Sequence, residues 1–324
     1  MIENDRIVDY VESSFLGPLL QRRDVTDVTW NGQELFYEDR FRGRRASSIH
    51  TDNEAVGAFL RQLANFAEQQ FSYMKPNLDI HFGRYRLNAM FFSVCRVYQR
   101  KAYSFALRIG GEGSAVLDNP SFFPPGSEAI ILDALAKNES IVIAGETGSG
   151  KTELQKYCLM HLKNATRVIV IDNLGELELC RGEGDIDLTF WQVDDRNDEA
   201  SFSSLIRDAL RNSPDYLILA EARGAEMAMA LQAAMSGHPI VTTLHAKDIE
   251  AVPFRMARLS QGVAGKEGYE DVLSDIYHHF SLIVFLKKDY SSGAVRRYVQ
   301  SIGRFDEKKR QIKLLFEKKE ADWR

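Results

Sequence analysis

The segment from Ser140 to Leu162, SIVIAGETGSGKTELQKYCLMHL, constrains the fold more than any other part of the chain. An apolar run, SIVIA, leads into Gly145-Glu146-Thr147-Gly148-Ser149-Gly150-Lys151-Thr152, and a helical pattern follows. The octet satisfies G-x-x-x-x-G-K-[ST]. Its glycines let successive backbone N–H groups curl round phosphate oxygens, and the helix behind adds the positive end of its dipole. In that arrangement Lys151 reaches the β- and γ-phosphates, and the Thr152 hydroxyl ligates magnesium. A chance match is the bland alternative, but a strand before and a helix after are the context the chemistry needs. No N-K-x-D guanine element follows, so ATP with Mg2+ is the expected ligand.

Such a loop needs a sheet behind it. ATRVIVIDNLGELEL, PDYLILAEAR and PIVTTLHA supply three more continuous apolar runs. Runs of this kind, separated by helical segments, indicate a largely parallel sheet covered on both faces. SEAIILDALAKN predicts a helix with Ser127 as its cap. The last stretch, from DIYHHFSLIVFLKKD to the end, adds a helix and antiparallel-looking strands.

Upstream the character changes. RDVTDVTWNGQELFYED predicts two short strands around the hairpin signal Asn31-Gly32. Thr51 to Glu54, TDNE, has the form of a capping box. It opens a helix with Val56, Phe59, Leu60, Leu63, Phe66 and Ala67 on one face. YRLNAMFFSVCRVYQRKAYSFALRI then alternates as two or three strands. Gly110 to Ser114, GGEGS, forms a flexible joint. The expected fold class is α/β: a smaller α+β domain over 1–109, a linker over 110–116, and a P-loop domain with a parallel sheet core over 117–324.

Composition removes several classes. Apolar residues make up 44% and charged residues 27% of the 324, as in a globular protein. The net charge of −5 argues against non-specific nucleic-acid binding, which needs a basic face. The three cysteines, Cys95, Cys158 and Cys180, suggest neither a disulfide framework nor a zinc site, and Cys158 reads as a buried structural thiol. The N-terminal MIENDRIVDYVESSF has no apolar signal region, and no run approaches a membrane span. A cytoplasmic location is therefore expected, with membrane association made through partners. The basic cluster Lys308-Lys309-Arg310 reads as a solvated surface.

Three polar groups follow the later apolar runs: Asp172-Asn173-Leu174-Gly175-Glu176, Glu221 with Arg223, and His245. Singly, each has a structural reading as a cap or a hydrogen-bonded core residue. Together they fall at the C-terminal ends of parallel strands, where α/β sheets bind ligands. Phosphoryl transfer needs groups to hold magnesium, orient water and contact the γ-phosphate. Glu221 is the candidate for polarising water, directly or through the magnesium shell. Asp172 and Glu176 are candidates for magnesium-bound water or a shared base role, and His245 for the γ-phosphate.

The motifs GETGSGKT, VIVIDNLGELEL, LRNSPDYLILAEARGAEM and SGHPIVTTLHA resemble the Walker A, aspartate, Walker B and histidine boxes of the secretion or traffic ATPases. VTDVTWNG is also similar to the opening of that family's N-terminal domain in the conjugation and Tad-type pilus branches. The resemblance covers most of the chain. It implies a RecA-like C-terminal domain and a homo-hexameric ring serving inner-membrane components of a secretion or pilus machine. By the same resemblance Gly145 to Thr152 bind the nucleotide, Arg223 anchors the wall of its site or a neighbouring segment, and Thr152 and Glu221 hold the metal. It also implies an N-terminal arginine acting at the γ-phosphate. Arg84, Arg86, Arg96, Arg100 and Arg108 lie in the matching region, Arg108 fitting best, beside a solvated-surface reading for each.

Ala220 stands where the family usually has Gly before the Walker B acid. Asp172-Asn173 stands for the usual Glu-Asp, which shifts load toward Glu176. The histidine box is one residue shorter than in many relatives. Absence of a CxxC…CxxC insertion and of a long N-terminal extension favours the shorter conjugation, Tad-like or retraction branches. Two rival functions stand beside the motor: a DNA-stimulated ring translocase, and a nucleotide-gated scaffold with little turnover. The acidic balance speaks against the first, and no sequence-specific nucleic-acid binding is expected.

Overall fold

The computed structural model describes residues 2–111, 114–173, 175–178, 180, 185–194, 197–222, 224–261, 268–290 and 294–318. Two compact units share the chain: Met1–Gly111 with Tyr290–Val295, and Glu112–Asp289 with Arg296–Arg324. Glu112 and Gly113 of the expected joint lie outside the described residues.

The first unit opens with α1 (Ile2–Glu12) and α2 (Gly17–Leu20), neither of which the sequence pattern announces. Then come β1 (Val25–Trp30), β2 (Leu35–Asp39), β3 (Gly43–Ala46), α3 (Asn53–Phe66), β4 (Asn77–Phe82) and β5 (Tyr85–Met90). The two-residue strands β6 (Arg96–Val97) and β7 (Arg100–Lys101) precede β8 (Ser104–Ile109). The main sheet runs β3-β2-β1-β8-β5-β4, with every neighbouring pair antiparallel. Alternation builds its core: Leu78, Ile80 and Phe82 of β4, with Tyr85, Leu87 and Ala89 of β5, are buried on one face. Val56, Phe59, Leu60 and Leu63 of α3 join them, and Phe66 and Ala67 are partly buried against the same cluster.

Two local expectations are corrected. The cap of α3 is Asp52 rather than Thr51: with extended backbone, its Oδ1 accepts from the Ala55 N–H at 2.8 Å. The Asn31-Gly32 hairpin forms, but through a four-residue connection between Trp30 and Leu35. Asn31 Oδ1 accepts from the N–H groups of Gln33 and Glu34 at 2.9 and 2.8 Å, and Gly32 takes φ +97°. The asparagine side chain closes a longer loop in place of a two-residue turn.

The second unit contains α4 (Ser127–Ala136), β9 (Ile141–Gly145), α5 (Lys151–Met160), β10 (Arg167–Asp172), β11 (Asp187–Gln192) and α6 (Phe202–Arg211). It continues with β12 (Tyr216–Leu219), α7 (Ala225–Met235), β13 (Ile240–Leu244), α8 (Ala251–Ser260) and α9 (Tyr269–His279). β14 (Leu282–Asp289), β15 (Arg296–Asp306) and β16 (Gln311–Glu317) close it. The sheet order is β11-β10-β12-β13-β9-β14-β15-β16. Pairs from β11 to β14 are parallel, and β14-β15-β16 are antiparallel.

The continuous apolar runs split by parity between two faces. Ile141, Ile143, Val168, Val170, Tyr216 and Ile218 pack with residues of α4 and α5. Val142, Ala144, Ile169, Ile171, Leu217 and Leu219 pack with residues of α6 to α9. Cys158 is wholly buried, and desolvation pushes its thiol up to about 12, as suits a structural cysteine. The cap of α4 is Gly126 at φ +85°, not Ser127; the Ser127 hydroxyl instead donates to the Pro124 carbonyl at 2.7 Å. The edge strand β11 escapes the sequence pattern, because half-exposed DLTFWQ lacks the apolar continuity of its neighbours. No helix among the described residues is long and apolar enough to cross a membrane.

Tyr103 ties α3 to the start of β8. Its N–H donates to Asn53 Oδ1 at 2.7 Å, its hydroxyl accepts from Arg61 Nη1 at 2.7 Å, and its ring lies 2.4 Å from where a Gly57 Cβ would stand. Residues 53, 57 and 61 form one stripe of the helix. The ring thus occupies the space that makes Gly57 necessary, despite the cost of about 1 kcal/mol for glycine within a helix. Gly57→Val is expected to destabilise the protein by roughly 2–3 kcal/mol through overpacking, measured as a lower urea midpoint. An unchanged midpoint would mean that the Tyr103 ring moves aside freely.

Candidate functional site

Parallel pairing brings the C-terminal ends of β10, β12, β13 and β9 to one edge of the sheet. Asp172 ends β10, Glu221 follows β12 by two residues, His245 follows β13, and the glycine loop follows β9. Four of the segments singled out in the sequence are therefore gathered by the sheet itself.

The loop is shaped for backbone approach. Gly145, Gly148 and Gly150 take φ of +153°, +74° and +98°. A Cβ on Gly145 would stand 2.5 Å from the Leu286 carbonyl oxygen and 2.7 Å from Ser149 Oγ, so this position admits glycine alone. Gly150 is the N-cap of α5 with no side-chain cap. Ser149 Oγ is buried without a hydrogen-bond partner among the described residues. Open helix N–H groups, an orphaned hydroxyl and close-set glycines fit a phosphate group. Glu146, Thr147 and Gly148 are exposed along the rim, and Thr152 is half-buried.

Lys151 is buried and folded back over the loop. Its Nζ donates to the carbonyls of Gly145 at 3.1 Å and Glu146 at 3.0 Å. It also lies 3.2 Å from His245 Nδ1, while His245 Nε2 lies 3.3 Å from Glu221 Oε1. A lysine only donates and a carboxylate only accepts. The consistent tautomer has Nδ1 accepting from Lys151 and Nε2–H donating to Glu221. His245 thereby links the glycine-loop lysine to the acid that follows β12.

The acid is held by backbone on both sides. Ala220 N–H donates to Ile171 O at 3.0 Å, and Ala222 N–H to Thr243 O at 3.1 Å. The Thr243 hydroxyl donates to Ala220 O at 2.7 Å. Ala220 itself is buried in the core face shared with α4 and α5, where a small apolar side chain packs. Glu221, offset by one residue, keeps 16% side-chain exposure.

Asp172 behaves differently. It is buried, and its Oδ2 accepts from the Leu177 N–H at 2.9 Å. The carboxylate thus holds the loop that carries half-buried Glu176. Arg223 lies outside the described residues. Arg108 belongs to the first unit, where its Nε is 3.3 Å from Asp27 Oδ1. Arg86 pairs with Asp79 and Arg84 with Glu12, while Arg96 and Arg100 are exposed.

Residues outside the four motifs also shape the site. Gln155, fully buried on α5, donates to Leu219 O at 2.8 Å. Arg297 on β15 donates from Nε to Gly148 O at 2.8 Å. Arg255 of α8 lines a 260 Å³ cavity with Glu221, Ala222, His245 and Leu259. A wider cavity of 760 Å³ joins Glu146 and Thr147 to His245, Lys247, Arg255 and Arg258. No spacing rule ties these residues to the loop, so the sequence alone does not pick them out.

A family model described as type II/IV secretion system protein matches residues 107–267, from the end of β8 past the histidine site. The chain belongs to this family. Its members are secretion ATPases. The type IV secretion system protein PtlH homolog of Bordetella bronchiseptica is 25% identical over 310 residues, covering 88% of this chain and 91% of that one. Two solved structures share the fold. The ATPase DotB of Legionella pneumophila has a TM-score of 0.65 at 23% identity, with 94% and 81% of the two chains covered. The pilus retraction motor PilT with bound ADP gives 0.61 at 18% identity, with 98% and 84% covered.

The adjacent threonines of the histidine box make a direct test of this geometry. Thr243→Val leaves the Ala220 carbonyl without its hydroxyl donor and is expected to cost about 1–3 kcal/mol in urea unfolding. Thr242 Oγ1 is buried with no partner among the described residues, so Thr242→Val is expected to be neutral or stabilising. Equal effects of the two substitutions would refute the assigned role of Thr243.

Proposed function

We propose that this chain is an ATP hydrolase whose turnover drives a type IV secretion, conjugation or pilus-like membrane machine. It works as a homo-hexamer on the cytoplasmic side, held at the membrane by inner-membrane partners. The family assignment supports the secretion role, and the ADP bound to the PilT retraction motor supports an adenine nucleotide. The proposed division is an N-terminal domain over 1–109, a linker over 110–116 and an ATPase domain over 117–324.

The observation that carries the reading is the Lys151–His245–Glu221 chain, which joins a phosphate loop to a partly exposed carboxylate. Gly145 to Lys151 would cradle the phosphates through backbone N–H groups. Phosphate would draw the Lys151 ammonium from the Gly145 and Glu146 carbonyls. His245 Nδ1 would lose its donor, and the imidazole would then contact the γ-phosphate through an N–H, with the proton carried on the ring nitrogen that faces it. Glu221, fixed by Thr243 and Ile171, would orient the attacking water and accept its proton. Thr152 and Glu221 offer the hard oxygens suited to Mg2+, an ion that takes few protein ligands and completes its shell with phosphate and water. When bound, magnesium supplies neutralisation of phosphate charge.

Glu221→Gln keeps the shape and removes the base. ATP turnover is expected to fall by roughly 10²-fold or more, with ATP binding retained. Lys151→Ala is expected to lose binding as well. Turnover in Glu221→Gln equal to wild type would overturn the assignment of the base. A second reading, a nucleotide-gated scaffold with little turnover, draws on the Asp172 carboxylate being engaged by Leu177. It gains if the wild-type ring binds ATP yet hydrolyses it no faster than Lys151→Ala.

A further inference from the structure

The small cavity on the Glu221 side of His245 raises a charge problem. It is lined by Glu221, Ala222, His245, Arg255 and Leu259. Once Glu221 has passed on the proton it takes from the attacking water, orthophosphate is left beside a carboxylate, and like charges in a protein cleft repel. A cation is needed on that wall. The Lys151 ammonium is on the other side of the imidazole, at Nδ1, whereas Glu221 is at Nε2.

Arg255 meets the requirement. It sits on α8, the helix that follows the histidine box, and its neighbours Val252, Met256 and Ala257 are buried in the core, which fixes the helix orientation. Arg255 itself is exposed and has no hydrogen-bond or ion-pair partner among the described residues. Along with His245, it lines both cavities, that of Glu221 and that of Glu146 and Thr147. Arg258, one turn on, lines only the wider one. The smaller cavity, at 260 Å³, far exceeds the space a single water needs, so it accepts a tetrahedral oxyanion.

We infer that Arg255 is a phosphate-binding residue and that the cavity it shares with Glu221 and His245 receives the inorganic phosphate cleaved from ATP. This rests on the hydrolase reading above. Guanidinium matches two oxygens of a phosphate at once. The anion would move from the glycine loop past His245 to Arg255, and the wider cavity would provide its way out. Arg255 thus separates the cleaved phosphate from the nucleoside diphosphate left on the loop.

The test is titration of the full chain with inorganic phosphate, followed by phosphorus NMR, with and without saturating ADP and Mg2+. The wild-type protein is expected to bind phosphate with ADP present. Arg255→Gln should weaken that binding at least tenfold, Arg255→Lys should restore part of it, and Arg258→Gln should change it less than threefold. ADP affinity should stay within threefold in all three variants. No phosphate binding by the wild-type chain in either titration, an unchanged affinity in Arg255→Gln, or equal losses in the Arg255→Gln and Arg258→Gln variants would each overturn the inference. ATP turnover of the wild-type protein is measured separately. Its absence would strike the hydrolase reading, while phosphate binding in either titration still decides the role of Arg255.

Discussion

β13 lies in parallel between β12 and β9, and the site depends on that placement. On one side its Thr243 bonds to the backbone on both sides of Glu221. On the other side its neighbour β9 ends in the glycine loop. His245, one residue past the strand, then spans the gap between Lys151 and Glu221. A parallel sheet permits this because its strands end on the same edge, so three chain segments meet without any long loop having to find its place. Burial of the strands on both faces supplies the rigidity: every residue of β9, β12 and β13 is buried.

The displaced acid follows from the same packing. Ala220 is buried in the face shared with α4 and α5, where its methyl group joins the core. Side chains alternate along an extended segment, so the next residue points the other way. Glu221 is therefore the first position after β12 from which a carboxylate leaves the core and remains partly accessible. Asp172, at the end of neighbouring β10, stays buried and is engaged by the turn at Leu177. Two acids at adjacent strand ends thus have different chemistry, set by whether the backbone aims them at a loop or at a cavity.

The first unit shows how little strand and helix identity depends on fine detail. The alternation of NLDIHF and YRLNAM and the apolar stripe of α3 were legible because burial of one face requires those periods. The caps were less legible. Asp52 displaces Thr51, and Gly126 displaces Ser127, because a cap depends on backbone angles at one residue rather than on a pattern over many. Strand β11, at the end of the sheet order, carries too weak a run to announce itself, since none of its residues is fully buried.

By itself the sequence determined the glycine-rich loop, the apolar strands behind it and the polar residues that end them. Each is a local property: glycine spacing, hydrophobic continuity, a change from apolar to charged. Only the tertiary structure decided which of those residues touch. Strand order joins Lys151 to His245 across 94 positions and His245 to Glu221, turns Asp172 toward Leu177, and sets Arg255 on the wall behind the acid. Side-chain direction and strand neighbours arise from packing between distant segments, and no spacing along the chain encodes them.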